Sequence, residues 1–101
     1  MKESEIQRAI LDYLASKGIL AFRQNTGAMA GEYNGKKRFM RFGVPGMADI
    51  LAFVPVPLWI EVKTPTGKQS EYQRSFQAQV QAYGHRYILA RCVEDVAAEV
   101  G

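Results

Sequence analysis

Cysteine and histidine are nearly missing from this 101-residue chain, which contains one of each, Cys92 and His85. A single cysteine excludes an internal disulfide and a cysteine-rich zinc site. The lone histidine has no ligand-like partner nearby in the sequence, so it does not suggest zinc and is predicted to be a turn residue. Cys92 lies in an apolar run, residues 87–93, and is predicted to be a buried hydrophobic residue.

Long hydrophobic runs, internal repeats and low-complexity segments are also lacking. The start has no apolar core of a signal peptide, and no run approaches the length of a membrane span. We therefore expect a soluble, intracellular (cytoplasmic) protein with no membrane partner. Hydrophobic residues make up 48% of the chain, enough for a packed core. Because chains of this length rarely divide into two cores, residues 1–101 are predicted to form a single domain.

A strong net charge is missing as well. The chain has 13 basic and 10 acidic residues, a net charge of +3 that many proteins without a nucleic-acid partner share. The distribution is more informative, because residues 36–41 hold four basic residues and no acidic one, whereas the chain from Ala48 onward holds five basic and six acidic residues. This concentration favours an anionic ligand lying across one part of the surface.

Hydrophobic periodicity and turn residues predict an α/β fold in which a compact mixed β-sheet is flanked by helices, in the order α-β-β-β-β-α-β-α. Both long helices open on a capping-box pattern, Ser4 with Gln7 and Ser70 with Gln73. Residues 25–35 are predicted to form a loop or an irregular hairpin. The predicted elements are a helix at 4–17, strands at 19–23, 37–42, 48–54 and 58–63, a helix at 70–84, a strand at 86–91 and helical turns at 94–100.

Three charged residues on two neighbouring predicted strands form the candidate site. Glu61 and Lys63 lie two residues apart in one strand, so their side chains leave the same face of the sheet. The preceding strand opens with Asp49, and the segment Pro55-Val56-Pro57 forms the turn between the strands. If the register pairs Asp49 with Lys63 or with Glu61, all three side chains point to one side of the sheet.

Two carboxylates beside an ammonium suit phosphodiester hydrolysis. Asp49 and Glu61 can hold Mg²⁺ or Mn²⁺, and the carbonyl of Val62 could supply another oxygen ligand. The metal would polarise the phosphate and lower the pKa of a bound water. Lys63 could then orient or deprotonate that water, or stabilise charge that develops on the phosphorane.

The alternative interpretation is a solvated charged face, and a lone Glu-x-Lys in a strand would favour it. Here an acid that opens the preceding strand, a short hairpin and a shared face occur together. A charged side chain between apolar neighbours is also costly unless something compensates it. The combination therefore favours the metal site.

The motifs in this order resemble the VRR-NUC branch of the PD-(D/E)xK nucleases. They are Gly46-Met47-Ala48-Asp49, Ile60-Glu61-Val62-Lys63 and Ser70-Glu71-Tyr72-Gln73. The resemblance extends across nearly the whole chain, including an opening helix with an early glutamate and an Arg-x-Asn strand end at residues 23–25. Ala48 departs from the pattern, because the family usually has proline there. Proline shapes the backbone but donates no metal ligand, so its replacement by Ala48 puts little of the resemblance in doubt.

The resemblance implies a role for each polar residue of these motifs. Asp49 and Glu61 would be metal ligands, Lys63 the catalytic lysine and Gln73 an active-site helper. Glu5 would be a further acid that contacts the metal through water or supports the site, and Glu3 is the alternative if the helix register differs. Glu5 also suits the helix macrodipole, and Gln73 also suits the Ser70 cap.

Basic and polar residues outside the site are predicted to contact DNA. The basic run follows a glycine-rich loop and is interleaved with Phe39, which favours contacts to the DNA backbone, although a solvated strand is the alternative. Lys68 precedes a helix N-terminus and could meet a phosphate, although a solvated loop lysine is the commoner outcome. It is not part of a P-loop, because the earlier glycine and the following Ser or Thr are missing. The predicted DNA-binding residues are Arg23, Asn25, Lys36, Lys37, Arg38, Arg41 and Lys68.

The expected function is therefore that of a Mg²⁺- or Mn²⁺-dependent DNA endonuclease. Small stand-alone members of the family tend to dimerise and to cut branched DNA, so the resemblance implies a homodimer that resolves four-way (Holliday) junctions, and it fits a phage or mobile-element origin. The alternatives are a flap- or nick-directed nuclease, a non-catalytic nucleic-acid-binding module on a nuclease fold, and a partner-binding subunit with no nucleic-acid role.

Overall fold

The computed structural model describes residues 1–24, 28–33, 36–41 and 45–100, and within 28–33 and 36–41 it describes the backbone. The helices are α1 (Glu3–Ser16), α2 (Glu71–Ala82) and α3 (Val93–Val100). The strands are β1 (Ala21–Arg23), β2 (Ala28–Tyr33), β3 (Lys36–Arg41), β4 (Ile50–Phe53), β5 (Pro57–Val62) and β6 (Arg86–Ala90). No helix of the described residues combines the length and the apolar character that crossing a membrane requires.

The predicted α/β class, with a mixed sheet flanked by helices, is confirmed. A four-stranded sheet has the order β1-β4-β5-β6, in which β1, β4 and β5 pair antiparallel and β5 pairs parallel with β6. Parallel neighbours need a crossover, and α2 supplies it between β5 and β6. β2 and β3 form a separate two-stranded antiparallel sheet. Within the segment predicted to be a loop or an irregular hairpin, residues 28–33 form a strand that pairs with β3, so the observed order has one strand more than the predicted order.

The four-stranded sheet carries one hydrophobic cluster on each face. The larger cluster joins α1 and α3 to alternate residues of β4 and β5, and its buried residues are Ile6, Ile10, Leu14, Ile50, Ala52, Leu58, Ile60, Val62, Ala90 and Val96. The smaller cluster joins Phe76 of α2 to Ala48, Tyr87 and the partly buried Trp59. Because side chains alternate along a strand, Glu61 and Lys63 lie on the same face as Trp59, the face that α2 covers.

The N-terminus of α2 is confirmed and that of α1 is not. Ser70 precedes α2, its hydroxyl accepts the backbone N–H of Gln73 (3.1 Å), and the Gln73 side chain accepts the backbone N–H of Ser70 (2.8 Å). The predicted N-cap at Ser4 is wrong, because α1 begins at Glu3 with Lys2 as its N-cap residue. There the Glu5 carboxylate accepts the backbone N–H of Lys2 (3.1 Å).

The prediction that Cys92 is buried is also wrong. The buried positions of β6 end at Ala90, and Cys92 lies in the bend between β6 and α3, where it is exposed. The apolar run from residue 87 to 93 thus contains a strand end and a turn. His85 lies between the turn at residues 83–84 and β6, one residue after the turn in which it was predicted, and accepts a hydrogen bond at Nδ1 from the Trp59 indole (3.1 Å).

Candidate metal centre

Asp49 is the residue immediately before β4, and hydrogen bonds hold it to the neighbouring chain segments on both sides. The register of β4 and β5 pairs Ile50 with Ile60, so its continuation places Asp49 opposite Glu61, one of the two predicted pairings. The backbone carbonyl of Asp49 accepts the N–H of Gln24 (2.7 Å). Its carboxylate Oδ2 accepts the N–H of Val62 on β5 (2.8 Å). Asp49 therefore has little freedom to turn away from Glu61.

Glu61 is a carboxylate buried in the sheet, with an exposed fraction of 0%. Its Oε2 accepts a hydrogen bond from Nε2 of Gln73 at the start of α2 (2.8 Å) and lies 3.8 Å from Nζ of Lys63. Its Oε1 is buried and has no hydrogen-bond partner within the described part of the chain. Buried carboxylate oxygens are costly without a partner, so this oxygen is free to accept a ligand.

Three carboxylates converge at this point. One oxygen each from Glu3, Asp49 and Glu61 lies within 4.8 Å of the other two. Burial raises the pKa of Glu61 to about 8; the negative charges of Asp49 and Glu3 also raise it, and the Lys63 ammonium lowers it. A bound cation would instead favour the ionised form. Mg²⁺ and Mn²⁺ prefer carboxylate oxygens, so the donor set fits a divalent ion of this type.

Glu3, and not Glu5, is the acid that α1 contributes to the cluster. Glu3 precedes the buried Ile6 by three residues and Ile10 by seven, so it continues the buried stripe of the helix. Glu5 lies on the opposite side, is exposed, and makes the capping contact to Lys2. The structure thus places Glu3, the alternative to Glu5, beside Asp49 and Glu61.

The remaining predicted site residues either lie around this centre or fall outside the residues that the structure describes. Val62 is the hydrogen-bond donor to Asp49 through its N–H. Arg23, at the end of β1, lines an open cavity of about 560 Å³ with Glu5 and residues of α1. Lys68 is exposed in the loop before α2. Asn25 and the side chains of Lys36, Lys37, Arg38 and Arg41 lie outside the described residues.

Two contacts around the centre were not predicted. Gly46 has a φ of +81°, and a Cβ there would overlap the backbone of Tyr72 and Gln73, so the chain before Asp49 packs directly on the start of α2. The guanidinium of Arg91 donates hydrogen bonds to two carbonyls of the turn that follows Lys63. Both contacts join segments that are far apart in the sequence. The contact of Gly46 with α2 had a sequence signal, the glycine of the first motif, and the contact of Arg91 had none.

Comparison with known proteins identifies the fold. No family model and no curated protein matches the sequence. A solved structure described as a VRR_NUC domain matches this chain with a TM-score of 0.66 and 18% sequence identity, over 95% of this chain and 90% of that one. The chain therefore has the fold of a VRR_NUC domain, which confirms at the level of the fold the resemblance predicted from its motifs.

Proposed function

We propose that this chain is a metal-dependent DNA endonuclease that hydrolyses phosphodiester bonds, cuts branched DNA such as four-way junctions and acts as a homodimer. One observation carries the proposal: the buried, unpartnered Oε1 of Glu61 lies among the carboxylates of Asp49 and Glu3, with Lys63 at the edge of the group. The VRR_NUC fold supports the same function.

Asp49, Glu61 and Glu3 would hold a Mg²⁺ or Mn²⁺ ion, and the carbonyl of Val62 remains a candidate ligand. When bound, the ion would polarise the scissile phosphate and lower the pKa of a water molecule. Gln73 occupies Oε2 of Glu61, which leaves Oε1 for the ion. The N–H of Val62 holds the carboxylate of Asp49 in place.

Lys63 supplies the positive charge at the edge of the centre. Its Nζ lies 3.8 Å from Glu61, and its side chain is only 13% exposed, so the ammonium is held close to the carboxylates. From there the ammonium can stabilise the charge that develops on the phosphorane or orient the attacking water, whereas deprotonation of that water would require the neutral amine.

Contacts to DNA outside the centre are part of the proposal. The concentration of basic residues in 36–41 and the net charge of +3 support a nucleic-acid substrate. A helix start beside the metal centre favours a phosphate near Lys68. The proposed DNA-binding residues are Arg23, Asn25, Lys36, Lys37, Arg38, Arg41 and Lys68.

A homodimer would supply the two centres that paired cuts in two strands require. Large apolar side chains remain exposed at the outer half of the sheet, on β1, on β4 and in the segments beside them: Leu20, Phe22, Phe53 and Val56. The Phe22 and Phe53 rings meet edge to face, with centroids 6.4 Å apart. This surface supports self-association, which sedimentation of the wild type against Phe22→Lys would test.

The decisive experiment is cleavage of a labelled panel consisting of a four-way junction, a flap, a nicked duplex, a linear duplex and a single strand. Each substrate is incubated with Mg²⁺, Mn²⁺ or EDTA. Wild type is compared with Lys63→Ala and with Lys17→Ala, which removes the same charge just beyond α1, about 20 Å along that helix from Glu3. We expect metal-dependent cutting by wild type and Lys17→Ala, and none by Lys63→Ala.

The pattern of products separates the alternatives. Symmetric paired cuts in the junction support the dimeric resolvase, whereas preferred cutting of the flap or the nick assigns the flap- or nick-directed activity. Salt-sensitive binding without cutting of any substrate would overturn the enzyme and leave a nucleic-acid-binding module. Absence of any salt-sensitive affinity would overturn the nucleic-acid function altogether.

A further inference from the structure

One arginine outside the metal centre is connected to the backbone that follows Lys63. We propose, on the basis of the proposed nuclease function, that Arg91 is a positioning residue that holds the Lys63 side chain beside Glu61. It acts through the turn formed by residues 64–67.

The parallel pairing of β5 and β6 brings the two residues together. Val62 pairs with Ala90, and the N–H of Lys63 donates to the carbonyl of Ala90 (3.0 Å). Continuing this register by one residue places Arg91 beside Lys63. Because the two residues occupy the same register position, their side chains leave the same face of the sheet.

The guanidinium of Arg91 closes the turn that follows Lys63. Its Nη1 donates to the carbonyl of Thr64 (2.5 Å) and to that of Gly67 (2.8 Å). The turn is also closed by the N–H of Gly67, which donates to the carbonyl of Thr64 (3.1 Å). Hydrogen bonds from a charged donor are stronger than neutral ones, so a single nitrogen fixes both ends of the turn.

Gly67 transmits this constraint to Lys63. A methyl group at Gly67 would lie 3.4 Å from Cδ and 3.5 Å from Cβ of Lys63, so Gly67 faces the aliphatic stem of that lysine at about one methyl group's distance. Lysine side chains have many rotamers, and a turn held in place beside the stem removes some of them. Arg91 therefore limits the positions that the Lys63 ammonium can take relative to Glu61.

The side chain of Arg91 can be changed without disturbing the start of α3. The contact between Arg91 and α3 is made by its backbone N–H, which donates to Oδ2 of Asp95 (2.9 Å) and is kept in any side-chain variant. Arg86, the first residue of β6, provides a matched control. Its guanidinium pairs with Glu99 of α3 (2.6 Å) and, among the described contacts, makes none with the turn.

The first experiment compares Arg91→Gln with Arg86→Gln in cleavage of the best substrate of the wild type. We expect Arg91→Gln to lower kcat by about 10- to 100-fold with KM and metal stoichiometry unchanged, because a misplaced catalytic group loses rate without losing binding. Arg86→Gln should retain kcat. An unchanged kcat in Arg91→Gln, or an equal loss of kcat in Arg86→Gln, would overturn the proposal.

The second experiment does not depend on activity. Relaxation of the ¹³Cε and ¹⁵Nζ nuclei of Lys63 reports how tightly its ammonium is held, and we expect a lower order parameter in Arg91→Gln than in wild type or Arg86→Gln. Unchanged Lys63 mobility would overturn the positioning role. If the wild type cuts no substrate, the proposed function fails, and this comparison still decides the inference about Arg91.

Discussion

The two long helices open on the same residue pattern, Ser-Glu-x-Gln, at residues 4–7 and 70–73, but the pattern has different roles in them. In α2, Ser70 lies just before the helix and exchanges hydrogen bonds with Gln73. In α1, Ser4 lies within the first turn, and the reciprocal contact is made by Glu5 with the backbone of Lys2. Both helix starts nevertheless bring a side chain to the carboxylate centre, Gln73 in one and Glu3 in the other.

The difference shows that local capping and tertiary packing can each determine where a helix begins. The start of α2 combines a favourable cap with the backbone contact to Gly46. The start of α1 has a lysine at the N-cap position, which is a poor cap, so the helix extends past Ser4 for another reason. That reason is the buried stripe of α1, which carries the helix to Glu3 at the edge of the core.

Substitution of Glu61 gives the largest expected effect, because both helix starts converge on this carboxylate. Glu61→Gln keeps the shape of the side chain and removes its charge, so we expect metal-dependent cleavage to fall by about 1000-fold. The rise in melting temperature caused by Mg²⁺ should disappear as well. Glu71→Gln, an exposed substitution in the first turn of α2, is the control, and equal losses in both variants would contradict the assignment.

Glu61→Gln also changes how the stability of the metal-free protein depends on pH. The pKa of Glu61 rises from 4.5 to about 8 in the folded state, mainly through burial. Between these pH values the folded state holds a proton that the unfolded state has lost, so stability falls as pH rises through this range. In EDTA, the melting temperature of Glu61→Gln should fall less steeply than that of wild type, and parallel curves would refute the raised pKa.

Much of the fold and of the centre could be predicted because the signals are local. Alternation along β5 and the Pro55–Pro57 turn placed Asp49, Glu61 and Lys63 on one face, and the Ser70 cap placed Gln73 at a helix start. The structure brings these four residues together. Glu3 was only an alternative, because Ser4 is a better cap than Lys2 and the local signal outweighed the stripe.

The contacts that could not be predicted depend on pairing between distant segments. Arg91 reaches Thr64 and Gly67, 24 to 27 residues earlier, only because β6 lies parallel to β5. The exposure of Cys92 follows from the residue at which β6 ends, and hydrophobicity alone does not locate that end. The additional strand β2 contains a glycine and lacks strong alternation, so composition alone indicated no more than an irregular hairpin.

The contact of α2 with Gly46 gives the second-largest effect. Gly46→Ala combines a positive φ with overlap of the Tyr72 backbone, and we expect it to cost about 2–4 kcal/mol of unfolding free energy. Gly84→Ala is the matched control, because its φ is +83° and no atom lies within 4 Å of the added methyl. It should cost about 1 kcal/mol, from backbone strain alone. Denaturant melts of both variants measure the difference, and equal costs would show that the contact with α2 is unimportant.

Substitutions of Glu3 and Glu5 should have separate effects, one on metal binding and the other on capping of α1. Glu3→Ala should weaken Mg²⁺ binding by about tenfold, since it removes one of three carboxylates from the cluster. Glu5→Ala should leave Mg²⁺ affinity unchanged and lower the unfolding free energy by about 0.5–1 kcal/mol, because it removes the contact to Lys2. Calorimetric titration and chemical denaturation measure the two effects, and the reverse pattern would restore Glu5 as the acid of the site.

The smallest effect tests the shared pattern itself. Ser70→Ala removes the hydroxyl that accepts the N–H of Gln73, and we expect it to cost about 1 kcal/mol of unfolding free energy. Ser4→Ala should be nearly neutral, because Ser4 already lies inside α1 and alanine has the higher helix propensity. Both serines precede the same residue types, Glu-x-Gln. A difference in unfolding free energy between the two variants therefore reports the position of each serine relative to its helix. Equal destabilisation by both variants would mean that α1 begins at Ser4 in solution, and Glu3 would then lie outside the helix that carries it to the carboxylates.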